Sequence, residues 1–233
     1  MNPPGAARLR AYRVDLSLLS LLGNRLAWQA RSAPDTLPIG IPSVDALAGG
    51  LPRGSLTEIC GPASSGRTSL LLSILASAQM RQEVCAVVDT CDAFDPASAS
   101  EAGIDLGRLL WIRCGGDAER ALKATDLLVQ SGGFGLIVMD LGDTPVRTAR
   151  RISLASWFRL RRAVEHTSTI LLVIEQHAHA GTCASLILET AGEGVSWSGA
   201  PGCSQLLRGL RVSVARRKPL RAARATFEAR IPE

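Results

Sequence analysis

The residues from Gly61 to Thr68 have the types and spacing of a loop that binds phosphate groups. The segment reads Gly-Pro-Ala-Ser-Ser-Gly-Arg-Thr, follows a predicted strand and begins a predicted helix. Its two glycines allow a tight turn in which backbone N–H groups point at an anion, and the helix N-terminus adds partial positive charge. The sequence therefore predicts nucleotide binding by Gly61, Pro62, Ala63, Ser64, Ser65, Gly66, Arg67, Thr68 and Ser69.

Two oxygen-bearing side chains of the same region suit a magnesium ion. Thr68 can offer its hydroxyl, and Asp140 ends a strongly apolar strand, the usual place of the second anchor for the metal. An aspartate at the end of a strand can also be a helix cap or a turn residue, but its pairing with the loop favours the metal ligand. The predicted cofactors are therefore ATP and Mg²⁺.

Arg67 occupies the position at which such loops carry lysine. Lysine is a compact charge that fits beside the β- and γ-phosphates, whereas the guanidinium group of arginine is planar and wider. The exchange is compatible with nucleotide binding but not with fast hydrolysis. Whether the chain is an enzyme therefore stays open.

The elements that position these residues alternate between apolar strands and helices, which predicts an α/β fold with a mostly parallel sheet covered on both faces. Residues 1–35 form a predicted amphipathic helical segment, and residues 36–233 form the core. A Pro- and Gly-rich connector at residues 32–54 is not expected to hold regular structure for long. The predicted strands are SLTEIC, VCAVVD, LLWIRC, FGLIVMD and TILLVIE, and the helices are Thr68–Met80, Pro96–Ala102, Asp117–Gln130 and Thr148–His166.

The chain after Gln176 changes character. Gly, Ser and Ala dominate up to Cys203, so this stretch is predicted to be a loop, with Trp197 anchoring it to the core or stacking on a base or partner. Two alternating segments then surround the turn at Lys218 and Pro219, which predicts an antiparallel hairpin at the edge of the sheet.

The net charge of +5 comes almost wholly from arginine. Five basic residues near the hairpin are the candidate DNA-binding residues: Arg208, Arg211, Arg216, Arg217 and Lys218. A second basic face, on the helix predicted for residues 148–166, could meet phosphate or a protein, although a solvated face is the favoured interpretation. Its members are Arg147, Arg150, Arg151, Arg161 and Arg162, with Phe158 among them.

The six cysteines form no CxxC pair, which indicates a reducing compartment. No apolar run approaches the length needed to span a bilayer, so the expected location is the cytoplasm. The group His177, His179 and Cys183 could hold zinc, but a cluster this loose is more often incidental, and no zinc site is predicted.

Three strings resemble the core of the RecA recombinase family: Ile41 to Gly54, Glu58 to Thr68, and Val88 to Pro96. The resemblance runs from about residue 37 to residue 176 and implies a RecA-like P-loop core. It implies that Asp95 contacts the nucleotide and that Gln176 senses the γ-phosphate and relays it to a DNA-binding loop. The family's water-activating glutamate is replaced by Cys91, so Asp92 and Gln176 are the candidate catalytic residues, and Ser98 replaces the adenine-stacking aromatic.

The short chain with its Gly-Arg-Thr loop and basic hairpin is also similar to the ImuA family of bacterial mutagenesis cassettes. That resemblance implies a RecA-like accessory protein of error-prone translesion DNA synthesis in the SOS response to DNA damage. The implied partners are ImuB, an inactive Y-family polymerase homologue, an error-prone polymerase and single-stranded DNA, with self-association or contact with RecA. The alternatives are a DNA-dependent ATPase of the recombinase class and an interaction module that uses no nucleotide.

Overall fold

The computed structural model describes residues 35–199 and 205–230, and the helix predicted for residues 1–35 lies outside them apart from Asp35. The helices are α1 (Pro42–Ala48), α2 (Arg67–Met80), α3 (Pro96–Glu101), α4 (Ala118–Ser131), α5 (Val146–Ala149) and α6 (Leu154–Val164), with short 3-10 turns at Leu106–Arg108 and Gly181–Cys183. The strands are β1 (Thr36–Leu37), β2 (Leu51–Pro52), β3 (Ser55–Cys60), β4 (Cys85–Asp89), β5 (Leu109–Arg113), β6 (Leu136–Asp140), β7 (Ile170–Glu175), β8 (Leu186–Ser198), β9 (Leu206–Lys218) and β10 (Arg224–Arg230).

Eight of these strands form one sheet, in the order β10-β9-β8-β3-β7-β6-β4-β5. The six strands from β8 to β5 run parallel, and β9 and β10 are antiparallel at the edge. The predicted α/β class and the C-terminal edge hairpin are therefore confirmed. The register places Asp89 of β4 opposite Asp140 of β6, so the carboxyl ends of the parallel strands meet at one edge of the sheet.

The parallel strands are buried on both faces, which explains why they read as continuous apolar runs. One face packs under α2 and α3, and the other packs under α4 and α6. On the first face lie Ile59, Val87, Val138 and Leu172. On the second lie Leu56, Val88, Ile137 and Val173.

The helix predicted over residues 148–166 is wrong in its extent, because two helices occupy this region. Helix α5 ends at Ala149, and α6 begins after Ser153, whose side-chain hydroxyl accepts a hydrogen bond from the Ser156 N–H at 3.2 Å. A serine that caps a new N-terminus favours such a break over continuation of the helix. Leu160 and Val164 are buried, as the sequence pattern indicates.

The connector before the phosphate loop contains more regular structure than the sequence predicts. Helix α1 begins at Pro42 and ends at Ala48, and the next residue, Gly49, caps it in a left-handed conformation with φ of 79°. The Asp45 carboxylate accepts the Ile39 and Gly40 N–H groups at 2.7 and 3.0 Å, which fixes the turn that precedes the helix.

Part of the stretch between Gln176 and Cys203 is not the loop that the sequence predicts. Residues 186–198 form β8, which pairs with β9 from Ile187 to Ser198, with bulges. Trp197 lies opposite Leu207 and is 54% exposed, so it does not anchor a loop to the core. Among the described residues, no helix combines the length and the apolar character needed to cross a membrane.

Candidate nucleotide-binding site

The loop from Gly61 to Thr68 connects the end of β3 to the start of α2. Its first N–H, from Gly61, donates to the Glu175 carbonyl at 3.2 Å, and Gly66 has φ of 86°. A Cβ at Gly61 would lie 2.4 Å from the Thr190 hydroxyl, and one at Gly66 would lie 2.4 Å from a Val212 methyl group. Both positions therefore require glycine, since the loop lies directly against β8 and β9.

The loop divides into an exposed and a buried part. Pro62, Ala63 and Ser64 are exposed, whereas Ser65 is buried and its hydroxyl lies 2.7 Å from the Thr190 hydroxyl. The exposed part carries the backbone that would face an anion. The buried part holds the loop on the sheet.

Thr68 and Asp140, the two predicted magnesium ligands, line one small pocket of about 70 Å³. Asp140 Oδ1 accepts the Gly142 N–H at 2.8 Å. Burial, opposed by that hydrogen bond, raises the pKa of Asp140 to about 6. A hydroxyl and a carboxylate are oxygen ligands of the type that Mg²⁺ takes.

Arg67 lines the same pocket and limits that fit. Its guanidinium group is buried, Nη1 donates to the Gly142 carbonyl at 3.1 Å, and Nη2 lies 3.9 Å from Asp143. The pocket is small, and the guanidinium group forms part of its wall. Mg²⁺ usually keeps several waters, so the pocket has the ligand types for the ion but little room beside Arg67.

Gln176 follows β7, and its side chain contacts the loop after β6. Its Nε2 donates to the carbonyls of Gly142 and Thr144 at 3.2 and 3.3 Å. The Gly142 carbonyl therefore accepts hydrogen bonds from both Arg67 and Gln176. The structure thus joins the phosphate loop to the candidate γ-phosphate sensor through one acceptor.

The structure separates Cys91 from Asp92. The Cys91 sulfur lies 3.6 Å from the Thr144 hydroxyl and so faces the loop after β6. Asp92 has φ of 59°, and its carboxylate forms an ion pair with Arg113 of β5, at 3.0 Å from Nε to Oδ1. The Asp92 side chain is therefore not among those that line the pocket of Thr68 and Asp140.

A larger groove of about 660 Å³ begins at Thr68 and Ser69 and lies between α2, α3 and β10. Ser98 of α3 and Phe227 of β10 also line it. Asp95 caps α3, where its carboxylate accepts the Ser98 hydroxyl at 2.6 Å and the Ser98 N–H at 3.0 Å. The hydroxyl bond is the main reason why the pKa of Asp95 is lowered. The volume is in the range of small-molecule sites.

A buried acidic cluster near Gln176 was not predicted. Glu58 Oε1 accepts the His179 and Ala180 N–H groups at 2.8 and 2.7 Å, and Glu175 Oε2 lies 2.5 Å from His179 Nδ1. Burial and the hydrogen bond to Glu175 raise the pKa of Glu58 to about 8, and burial raises that of Glu175. The sequence signal for this cluster is the glutamate inside the segment SLTEIC, which is predicted to be a buried strand.

Most of the candidate DNA-binding residues have partners within the protein. Arg216 Nη1 donates to the Leu47 and Ala48 carbonyls at the end of α1, both at 3.3 Å. Arg217 pairs with Glu189, Arg211 pairs with Glu228, and Lys218 donates to the Gly181 and Thr182 carbonyls. Arg208 lies at a bulge in the β8 and β9 pairing.

The comparisons with known proteins agree with this architecture. The profile of the RecA N-terminal domain matches residues 24–152, which is more than half of the chain. The chain belongs to the RecA N-terminal domain family. With the sheet order and the phosphate loop described above, this RecA family member has a RecA-like α/β core.

Three proteins named Protein RecA are among its relatives. The one from Acidothermus cellulolyticus is 33% identical over 168 residues, which cover 65% of this chain and 48% of the relative. That from Chlorobium chlorochromatii is 36% identical over 142 residues, covering 55% and 40%. That from Leifsonia xyli subsp. xyli is 34% identical over 168 residues, covering 65% and 47%. This RecA family member spans about half the length of these curated relatives or less.

Proposed function

We propose that this RecA family member is a nucleotide- and DNA-binding accessory protein that hydrolyses ATP slowly or not at all. The observation that supports this most directly is the composition of the phosphate pocket. Thr68 and Asp140 line it together, while a thiol, that of Cys91, faces the neighbouring Thr144 where the resemblance implies a carboxylate. A thiol cannot orient a water for attack on the γ-phosphate as a carboxylate does.

The nucleoside would occupy the groove between α2, α3 and β10. This groove continues from Thr68 and Ser69, so a triphosphate on the loop would direct its sugar and base toward it. Phe227 supplies an apolar surface in the groove, and the small side chain of Ser98 also lines it and leaves space for the base. Asp95 lies at the N-terminus of α3, which places a polar group close to this groove.

Binding and hydrolysis are tested separately. Calorimetric titration with a slowly hydrolysed ATP analogue should give a one-to-one isotherm, and steady-state assays should show little ATP turnover with or without single-stranded DNA. Ser69→Ala is the test variant, because it removes a hydroxyl that lines the groove. Ser77→Ala is the matched control, because it removes a hydroxyl that donates to the Pro38 carbonyl instead. Robust turnover stimulated by DNA would favour the ATPase alternative, and no binding at all would favour an interaction module.

DNA binding is proposed to involve α5, α6 and the turn between them. The guanidinium groups of Arg147, Arg150, Arg151 and Arg162 make no hydrogen bond or ion pair with any described residue. All four are exposed, and Arg162 lies one turn of α6 after Phe158, which is 41% exposed. Unpaired cations suit the phosphates of a single strand, and an exposed aromatic ring can stack on its bases, whereas the hairpin cations would first have to leave their partners.

Fluorescence anisotropy with a single-stranded oligonucleotide tests this placement. Arg151→Ala should weaken binding and reduce the salt slope by about 0.7, the value for one lost phosphate contact on a single strand. Arg81→Ala, which removes an exposed arginine at the other end of the sheet, should leave the slope unchanged. Equal effects of the two variants would contradict a site on α5 and α6.

The role in translesion synthesis, with an ImuB-like Y-family homologue and an error-prone polymerase as partners, is the finer part of the proposal. It is supported by the ImuA resemblance and by an exposed apolar surface on the outer half of β8 and β9. That surface consists of Val195, Trp197, Leu206 and Leu207. Co-purification with the Y-family homologue should succeed for the wild type and fail for Trp197→Ala, with Met80→Ala as an exposed apolar control.

A further inference from the structure

We propose that Arg67 supplies, inside the pocket of Thr68 and Asp140, the positive charge that a magnesium ion would otherwise bring to the phosphates. Nucleotide would then bind to this chain without a divalent cation. The inference rests on the proposed nucleotide binding and specifies the ionic form that the site accepts. It arises because the side chains of the pocket are ligands of the type that Mg²⁺ takes, whereas Arg67 leaves little room for the ion.

The first support is the fixed position of the guanidinium group. Arg67 is the first residue of α2, and its side chain is buried and held by the Gly142 carbonyl at 3.1 Å. Gly142 is held in turn by Asp140, which accepts its N–H at 2.8 Å. A Cβ at Gly142 would lie 3.0 Å from Asp140 Oδ1 and 3.2 Å from Arg67 Nη1. The carboxylate and the guanidinium group therefore flank the same residue.

The second support is the hydrogen-bonding capacity that remains. A guanidinium group has five N–H donors, and the only hydrogen bond from that of Arg67 to a described residue is the one to Gly142. The contact with Asp143, at 3.9 Å, is too long for a hydrogen bond. Donors of Arg67 are therefore available to phosphate oxygens, which arginine binds in a forked geometry.

The third support is repulsion within a small volume. The pocket measures about 70 Å³ and already contains one buried cation among its walls. Charges of the same sign repel strongly when they are a few ångströms apart in a partly desolvated site. A carboxylate that already has a cation beside it is a weaker ligand for a second one. Arg67 and a hydrated metal ion therefore compete for the same place.

The test compares nucleotide binding in excess Mg²⁺ and in excess EDTA by titration calorimetry with a slowly hydrolysed ATP analogue. The wild type should give dissociation constants within about twofold of each other in the two buffers. Arg67→Lys should bind at least about tenfold more weakly in EDTA than in Mg²⁺, the size of effect that neighbours of a metal site commonly have. Arg81→Lys, at the exposed end of α2, should behave as the wild type does.

Electron paramagnetic resonance with Mn²⁺ in place of Mg²⁺ gives a second readout, and its wild-type measurement does not depend on whether the variant folds. The wild-type complex with nucleotide should bind no Mn²⁺ beyond what the free nucleotide holds, whereas Arg67→Lys should bind one ion.

Wild-type binding that is more than about tenfold weaker in EDTA would overturn the inference and leave the proposed function intact. Equal binding by Arg67→Lys in both buffers would also overturn it, because the wide guanidinium group would then not be what makes the metal ion unnecessary. No binding in either buffer would overturn both the inference and the proposed nucleotide binding.

Discussion

The buried pair of Glu58 and Glu175 should make stability fall as the pH rises through the neutral range. The two carboxyl groups share a hydrogen bond, and three successive N–H groups, from His179 to Gly181, donate to Glu58. The pKa of Glu58 is raised from 4.5 to about 8, chiefly by burial. Replacing this residue by glutamine removes the titration but retains a donor to Glu175 and an acceptor for His179.

The sign follows from where the proton binds more tightly. A carboxyl whose pKa is higher in the folded protein contributes stability that is fully present below its unfolded pKa and is lost as the pH rises through the folded value. One unit of pKa corresponds to about 1.4 kcal/mol, so the loss between about pH 6.5 and about pH 8 is on the order of 2 kcal/mol. Glu58→Gln should show a nearly flat profile across this window.

The window from about pH 6.5 to about pH 8 distinguishes the titration of Glu58 from that of Asp140, His179 and the buried thiols, whose pKa values are also shifted. It lies above the pKa of Asp140, which is about 6, and above that of His179, which burial lowers from 6.5. It lies below 9.0, the ordinary pKa at which the Cys60 and Cys85 thiols would ionise in the unfolded chain; burial raises their pKa to about 12 in the folded protein.

Urea unfolding followed by circular dichroism at several pH values measures this effect. Glu193→Gln is the matched control, since Glu193 is an exposed glutamate of β8 and its loss should leave the wild-type slope unchanged. A wild-type free energy of unfolding that is constant or rises over the window would refute the reasoning. So would a Glu58→Gln protein that keeps the wild-type slope.

Three further substitutions have expected outcomes. Gly66→Ala should lower the free energy of unfolding by about 1–3 kcal/mol and abolish nucleotide binding, because φ is positive and the new methyl group meets Val212; adding Val212→Ala should restore only part of the stability. Arg216→Ala should cost about 1 kcal/mol in a urea titration by leaving the Ala48 carbonyl without its side-chain donor, while the Leu47 carbonyl keeps its bond from Arg221; Arg224→Ala, which removes an exposed arginine of β10, should be neutral. Cys91→Glu should increase steady-state ATP hydrolysis, and an unchanged rate would show that another residue limits turnover.

The parts of the fold that could be predicted are those whose pattern is local. Strands β3, β4, β6 and β7 are buried on both faces, so each reads as a short apolar run that needs no knowledge of its neighbours. The phosphate loop was predictable because its two glycines are required by a turn and by close packing at fixed spacing. The hairpin of β9 and β10 was predictable from its alternation around one turn.

The parts that could not be predicted depend on distant partners. The outer half of β8 contains Gly192, Gly194 and Ser196 and is exposed, so only its pairing with β9 makes it a strand. Arg216 reads as a DNA-binding cation because its true acceptors, the carbonyls of α1, lie about 170 residues earlier in the sequence. Asp92 adjoins the catalytic position in sequence, but a left-handed backbone turns it toward Arg113.

The contact of the phosphate loop with β8 and β9 connects those strands directly to the proposed nucleotide site. Thr190 bonds Ser65, and Val212 packs on Gly66, near the inner end of the two strands, while Trp197 lies at the outer end. Strands paired over this length transmit a displacement better than a loop would. If a triphosphate binds the loop and a partner binds at Trp197, as proposed, a partner that shifts these strands would change the affinity for the triphosphate, and the triphosphate would change the affinity for the partner by the same factor.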